Sequence, residues 1–190
     1  MNPELKLLGI SQKTYDFVKS CENSLGNIYE GIEANEAYTQ ARVLKAFQDN
    51  CIALRHFAPT SGYGYDDIGR EALGAVFACA LEAEDALVRP QISSGTQAIF
   101  TALSGLLEPG DVMLSLTGKP YDTLEKAIGI SGDEYCSLKR MGVIYRQVDL
   151  TADGHIDIDA AKAAITGSEK VIYFQRSRGY SWRNALTPEE

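Results

Sequence analysis

Apolar positions recur at helical spacing twice before the chain shows any strand-like run. Between residues 11 and 25, Tyr15, Val18 and Cys21 fall roughly on one stripe, which predicts a helix. A second helix is expected over residues 33–50, with Val43, Leu44 and Phe47 as its buried face. A glycine-punctuated, tyrosine-rich loop follows, and Asp66 or Asp67 at its end is placed to cap a helix running through residues 71–81. Beyond it the pattern becomes regular. Short apolar runs at 86–88, 112–116, 143–148 and 170–174 read as strands, and residues 95–107, 121–130 and 157–165 read as helices between them. That alternation predicts right-handed crossovers and an α/β fold, a three-layer sandwich with a mainly parallel sheet. The expected division is a helical N-terminal arm over residues 1–60 and an α/β domain over residues 61–190.

Charge and composition narrow the partners more than the fold. A net charge of −8 argues against nucleic-acid binding as the main role. No run approaches the ~20 apolar residues of a membrane span. The N-terminus has no basic start followed by an apolar core, so a cytoplasmic protein with no membrane partner is expected. Cys21, Cys51, Cys79 and Cys136 are scattered without a Cys-x-x-Cys pair, which points to reduced, buried thiols and away from a zinc or disulfide framework. Thr187-Pro188-Glu189-Glu190 has the residue order of a helix start, so the chain is expected to be part of a longer protein.

Ligands of parallel sheets bind at the carboxyl ends of strands, where two polar segments fall. In Ser93-Ser94-Gly95-Thr96-Gln97, hydroxyls and first-turn N–H groups collect at a helix opening, with the positive end of the helix dipole behind them. Such a segment is either a phosphate seat or an ordinary hydroxyl N-cap, and by itself it leaves both open. In Gly118-Lys119-Pro120-Tyr121, the tyrosine stands at a second strand end, where an aromatic ring also serves as plain packing.

Taken together, the segments 92–99, 107–111, 117–123 and 175–183 resemble those of the methionine gamma-lyase-like group, the aluminium resistance or cystathionine beta-lyase-like proteins. The resemblance runs over essentially the whole chain. It implies a pyridoxal-phosphate enzyme of the aspartate aminotransferase fold (fold type I), with residues 61–190 as the first half of the cofactor-binding large domain. By that resemblance Ser94, Gly95, Thr96 and Gln97 hold the cofactor's phosphate. Glycine would let the backbone come close, and a bulky residue there would crowd the phosphate and strain the turn. Tyr121 stacks on the pyridine ring and handles protons.

Tyr63, Tyr65 and Arg70 lie in the loop that, in related lyases, reaches a neighbouring subunit's site. The relatives' Tyr-x-Arg spacing is not kept, so Tyr65 is carried over as cofactor-binding. Arg70 is instead left open as a helix-surface partner of Asp66 or Asp67. No asparagine stands in 175–180 to meet the cofactor's 3′-oxygen. Either Ser177 or Arg178 substitutes or the contact is absent; Ser177 is carried over as cofactor-binding and Arg178 as the candidate for a substrate carboxylate. The resemblance further implies a small amino-acid substrate, elimination at a carbon–sulfur bond, and a homodimer or homotetramer with shared sites. The lysine that holds the cofactor and the aspartate facing its ring nitrogen find no matching position in 1–190, and Lys119, Lys126, Lys139 and Lys170 sit in no equivalent motif. Other reactions on the same scaffold (transamination, decarboxylation, replacement) or a non-catalytic phosphate-binding module are the alternatives.

Overall fold

The computed structural model describes residues 3–61, 65, 67–132 and 135–188. The chain divides into two compact units, Met1–Arg89 and Pro90–Glu190. The first is helical: α1 (Pro3–Leu7), α2 (Gln12–Ser24), α3 (Gly26–Asp49), a short 3-10 turn (Leu54–Phe57) and α4 (Ile68–Leu81). The second carries α5 (Gly95–Leu106), β1 (Val112–Ser115), α6 (Asp122–Ile128), β2 (Ile144–Gln147), α7 (Ile158–Ala164) and β3 (Glu169–Tyr173).

Helix starts follow the capping chemistry written in the sequence. The Ser11 and Asp67 side chains accept from the N–H groups of Thr14 and Arg70, each at 3.1 Å, and Asp157 accepts from Ala160 at 2.9 Å. Asp67 is thus the cap of α4. Asp66, the other candidate, lies outside the described residues, as do Tyr63 and the last two residues of the expected helix start at 187–190.

Three expectations for the first unit are corrected. The second helix begins at Gly26, a whole turn and more before residue 33, because only Leu25 separates it from α2 and nothing in 26–32 breaks helical geometry. Val43, Leu44 and Phe47 are not a buried face: all three are exposed, and Ala46 alone is buried along α3. Residues 86–88 form no strand; a three-residue apolar run with no ladder partner cannot satisfy its backbone as sheet. The cysteines are free, as expected, but all four are exposed rather than buried. Cys21 and Cys51 belong to a helical unit that covers little of its own surface.

The second unit is mixed α/β around a small parallel sheet in the order β2-β1-β3. Central β1 sends successive side chains to opposite faces. Met113 enters a core with Leu103 and Leu107 from the α5 side, Leu124 and Ile128 of α6, and Leu138 and Val143. Leu114 and Leu116 pack on the other face with Ala161 of α7. Helices therefore cover both faces of this sheet, and the carboxyl ends of all its strands lie along one edge.

At the opposite end of the sheet, Glu169 ties the strands together. Its carboxylate accepts from the Thr166 hydroxyl (2.8 Å) and from the backbone of Thr166 and Gly167, and it pairs with Arg146 at 3.1 Å. The Thr166 hydroxyl first, and then the backbone donors, outweigh burial and hold the carboxyl at about 2, below its ordinary value. A depressed folded-state value contributes stability that is complete above about 4.5 and is lost as pH falls toward about 2. Urea denaturation should therefore find Glu169→Gln less stable than the parent at pH 6, with the gap narrowed at pH 3. An equal gap at both values would contradict this reading.

Candidate functional site

The polar groups gather where β1 and β3 end. The chain leaves β1 through Leu116 and Thr117 and turns at Gly118, whose φ of +73° is a left-handed conformation suited to glycine. The Gly118 N–H donates to Val148 O at 2.8 Å, and its carbonyl accepts from the buried Ser115 hydroxyl at 2.6 Å. Lys119 pairs with Glu125 of α6 at 3.1 Å. Glu125 is held below its ordinary carboxyl value, first by the Ser131 hydroxyl and then by the Lys119 ammonium, with burial opposing both. The segment then reaches Tyr121, the residue immediately before α6, half-buried against the core.

α5 opens beside it. Ser94 is extended and its hydroxyl accepts from the Gln97 N–H at 3.1 Å, while the Gln97 side-chain oxygen accepts from the Ser93 N–H and hydroxyl, both at 2.8 Å. Ser94 and Gln97 thus spend these groups on building the helix start. The N–H groups of Gly95 and Thr96 lie in the first turn, where an α-helix offers no carbonyl partner. A Cβ built on Gly95 meets nothing within 4 Å, and Gly95 is not among the residues with positive φ. The expected turn strain at this glycine is therefore absent. What remains is open space around the Cβ position of Gly95, at the start of the helix.

Thr96 joins this opening to Tyr121. Its hydroxyl lies 3.1 Å from the Tyr121 hydroxyl and 2.9 Å from that of Thr123. The N-terminus of α5 and the start of α6 thereby share one hydroxyl cluster.

β3 delivers the third side. Gln175, 9% exposed, accepts through Oε1 from the Tyr121 N–H and donates through Nε2 to Ser177 O, both at 3.1 Å; its own N–H donates to the Thr117 hydroxyl at 2.8 Å. Arg183 folds back and donates to Gln175 O (3.2 Å) and Ser177 O (2.7 Å). Gly179, with φ +58°, turns the loop so tightly that a Cβ there would sit 3.4 Å from that of Tyr121. Between these segments runs an open cleft lined by Lys119, Tyr121, Gln175, Arg178, Tyr180 and Arg183, among others. Burial raises the phenol of Tyr173, with the neighbouring Tyr121 adding to the rise, and drives that of Tyr145 up to about 12; both rings pack on the Met113 core and stay neutral.

The sequence-predicted residues are thus only partly assembled. Thr96 and Tyr121 touch, with Gly95 beside Thr96 in the helix start, and Ser177 and Arg178 lie in the loop that Gln175 ties to Tyr121. Tyr65 is exposed and belongs to the other unit. Arg70 sits 3.7 Å from Asp67, the helix-surface pairing left open by the sequence. Sequence reasoning passed over Gln175 and Thr123. A buried-strand run ending on a polar residue was the available signal for Gln175, and the Tyr-Asp-Thr order was the signal for Thr123.

The family model described as methionine gamma-lyase matches residues 14–190. The chain belongs to the methionine gamma-lyase family. It is 48% identical to the uncharacterized protein YnbB of Bacillus subtilis over 89% of this chain and 40% of that protein. Its fold matches a Listeria innocua protein provisionally named a cystathionine beta-lyase involved in aluminum resistance, with a TM-score of 0.87 and 44% identity over 92% of this chain and 43% of that one. It also matches a carbon-sulfur lyase involved in aluminum resistance from Clostridium novyi, with a TM-score of 0.86 and 39% identity over 97% of this chain and 44% of that one. The chain therefore spans less than half the length of these relatives. Among the described residues, no helix is long and apolar enough to cross a membrane.

Proposed function

We propose that this chain carries the cofactor-seating part of a cytoplasmic, pyridoxal-phosphate-dependent carbon–sulfur lyase of fold type I, acting on sulfur amino acids. In the whole protein, residues 61–190 are the first half of a three-layer large domain and residues 1–60 are the arm of a homodimer or homotetramer. The observation that carries the reading is the 3.1 Å contact between Thr96 and Tyr121. It sets a pair of first-turn N–H donors beside an aromatic ring, the two features a phosphorylated pyridine needs.

The donor set fits such a group. Gly95 and Thr96 offer backbone N–H groups with open space above Gly95. Ser94 and Gln97 hold that helix start in shape. Tyr121 offers a ring face to a flat, electron-poor heterocycle, and its hydroxyl, hydrogen-bonded to Thr96, is placed to hold or pass a proton. Ser177 stands for the 3′-oxygen contact, Arg178 binds the substrate carboxylate from the cleft wall, and Tyr65 serves a neighbouring subunit's phosphate. When bound, the cofactor supplies an electron sink for charge developing at the substrate's α-carbon. We assign the lysine that carries it, and the aspartate at its ring nitrogen, to the part of the protein outside residues 1–190.

The test is a screen of the full-length protein loaded with pyridoxal phosphate against cystathionine, methionine, cysteine and homocysteine, reading release of pyruvate or 2-oxobutyrate. Release from at least one is expected. Silence on all four would contradict the lyase reading and favour another reaction on this scaffold. In the same assay Tyr121→Phe should keep its cofactor affinity and turn over roughly 10²–10⁴-fold more slowly, the usual contribution of a positioned acid–base group. Equal turnover would remove the phenol from proton handling.

A further inference from the structure

We infer that Gln175 is a positioning residue for Tyr121: it fixes where the ring stands by holding the backbone N–H of the residue that carries it. The inference rests on the reading of Tyr121 as a ring-holding residue, but the clamp itself is a property of the polypeptide.

Five hydrogen bonds converge on this one residue, the longest from the Tyr173 hydroxyl to Oε1 at 3.5 Å, and they join segments far apart in sequence. Its Oε1 accepts from the Tyr121 N–H and its own N–H donates to the Thr117 hydroxyl, both in the segment after β1. Its Nε2 goes to Ser177 O, and its carbonyl accepts from Arg183, both in the loop after β3. The orientation of the amide is fixed by its partners, because an N–H requires the oxygen and a carbonyl requires the nitrogen. Tyr121 precedes α6, so its N–H has no helical carbonyl to reach. At 9% exposure, Gln175 replaces the water that would otherwise satisfy that N–H.

Tyr121 is then held from two directions, at the backbone by Gln175 and at the hydroxyl by Thr96. Gly179 closes against its Cβ from the side of the β3 loop. An aromatic ring fixed at both ends presents one face in one orientation, and so a flat ligand finds the face already set. A glutamate at position 175 would keep an acceptor for Tyr121 but lose the donor to Ser177. A methionine would lose both while keeping similar volume. The two variants therefore separate the clamp from general support of the loop.

The test is site-resolved amide hydrogen exchange on the full-length protein, with pyridoxal phosphate affinity measured alongside. In Gln175→Met, exchange at the Tyr121 amide should accelerate about tenfold, as expected for losing one buried hydrogen bond. The amides of β1 should be unchanged, and Gln175→Glu should leave the Tyr121 amide near its parent rate. An unaccelerated Tyr121 amide in Gln175→Met would overturn the inference. So would equal acceleration in both variants, or a general acceleration that includes β1, which would make Gln175 a support of the fold. Cofactor affinity should fall in Gln175→Met and hold in Gln175→Glu. If the amide responds as expected and affinity does not, the clamp stands and the role of the Tyr121 ring in binding cofactor fails.

Discussion

Replacing Gly95 by valine is expected to weaken pyridoxal phosphate binding by the full-length protein about 10- to 100-fold, the range set by one or two hydrogen bonds to a charged group. The same change should leave the stability of the cofactor-free protein within about 0.5 kcal/mol of the parent, as for surface substitutions that disturb no special feature. The asymmetry follows from the geometry. A Cβ on Gly95 meets nothing of the polypeptide within 4 Å and forces no left-handed backbone, so the chain tolerates it. The added methyl groups stand over the first-turn N–H groups of α5 and keep an anion from reaching them. Equilibrium titration with cofactor and a urea denaturation curve separate the two effects. A variant that binds as tightly as the parent would remove this helix start as the phosphate seat. A variant that loses binding and stability together would make Gly95 a structural residue.

The second large effect is on the framework beneath the site. Leu124 is completely buried and packs among Leu103, Leu107, Met113, Ile128, Leu138 and Val143. Leu124→Ala should destabilise the protein by about 2–5 kcal/mol, the transfer energy of the missing atoms plus the cavity they leave. Leu124→Met, which keeps most of the volume, should lose less than about 1.5 kcal/mol. Because α6 begins directly after Tyr121, the alanine variant should also loosen the Tyr121 hydroxyl's contact with Thr96. Denaturation midpoints of both variants check the energies. Equal losses would mean that this face of the sheet is not packed as described.

Much of the second unit was legible because its signals are local. Ser94 and Asp157 announce helix starts by hydroxyl and carboxylate capping, and β1 and β3 are short apolar runs bounded by turns. The first unit was less legible. Val43, Leu44 and Phe47 have the spacing of a buried stripe, but spacing records only that a face is apolar, and in this chain it stays exposed. Residues 86–88 have strand composition and no strand to pair with. In the site, Thr96 and Tyr121 were readable one by one. Their contact was not, since it spans 25 residues and two helix starts. Gln175 lies farther still, 54 residues from the amide it holds, and no sequence pattern encodes a long-range side-chain-to-backbone bond.

We propose that the start of α5 and the ring of Tyr121 together seat pyridoxal phosphate. A crystal structure of the full-length protein with the cofactor bound tests it most directly. Phosphate oxygens are expected within hydrogen-bond reach of the Gly95 and Thr96 N–H groups, with the pyridine ring stacked on Tyr121. A phosphate held elsewhere, with the Gly95 N–H left to water, would contradict it.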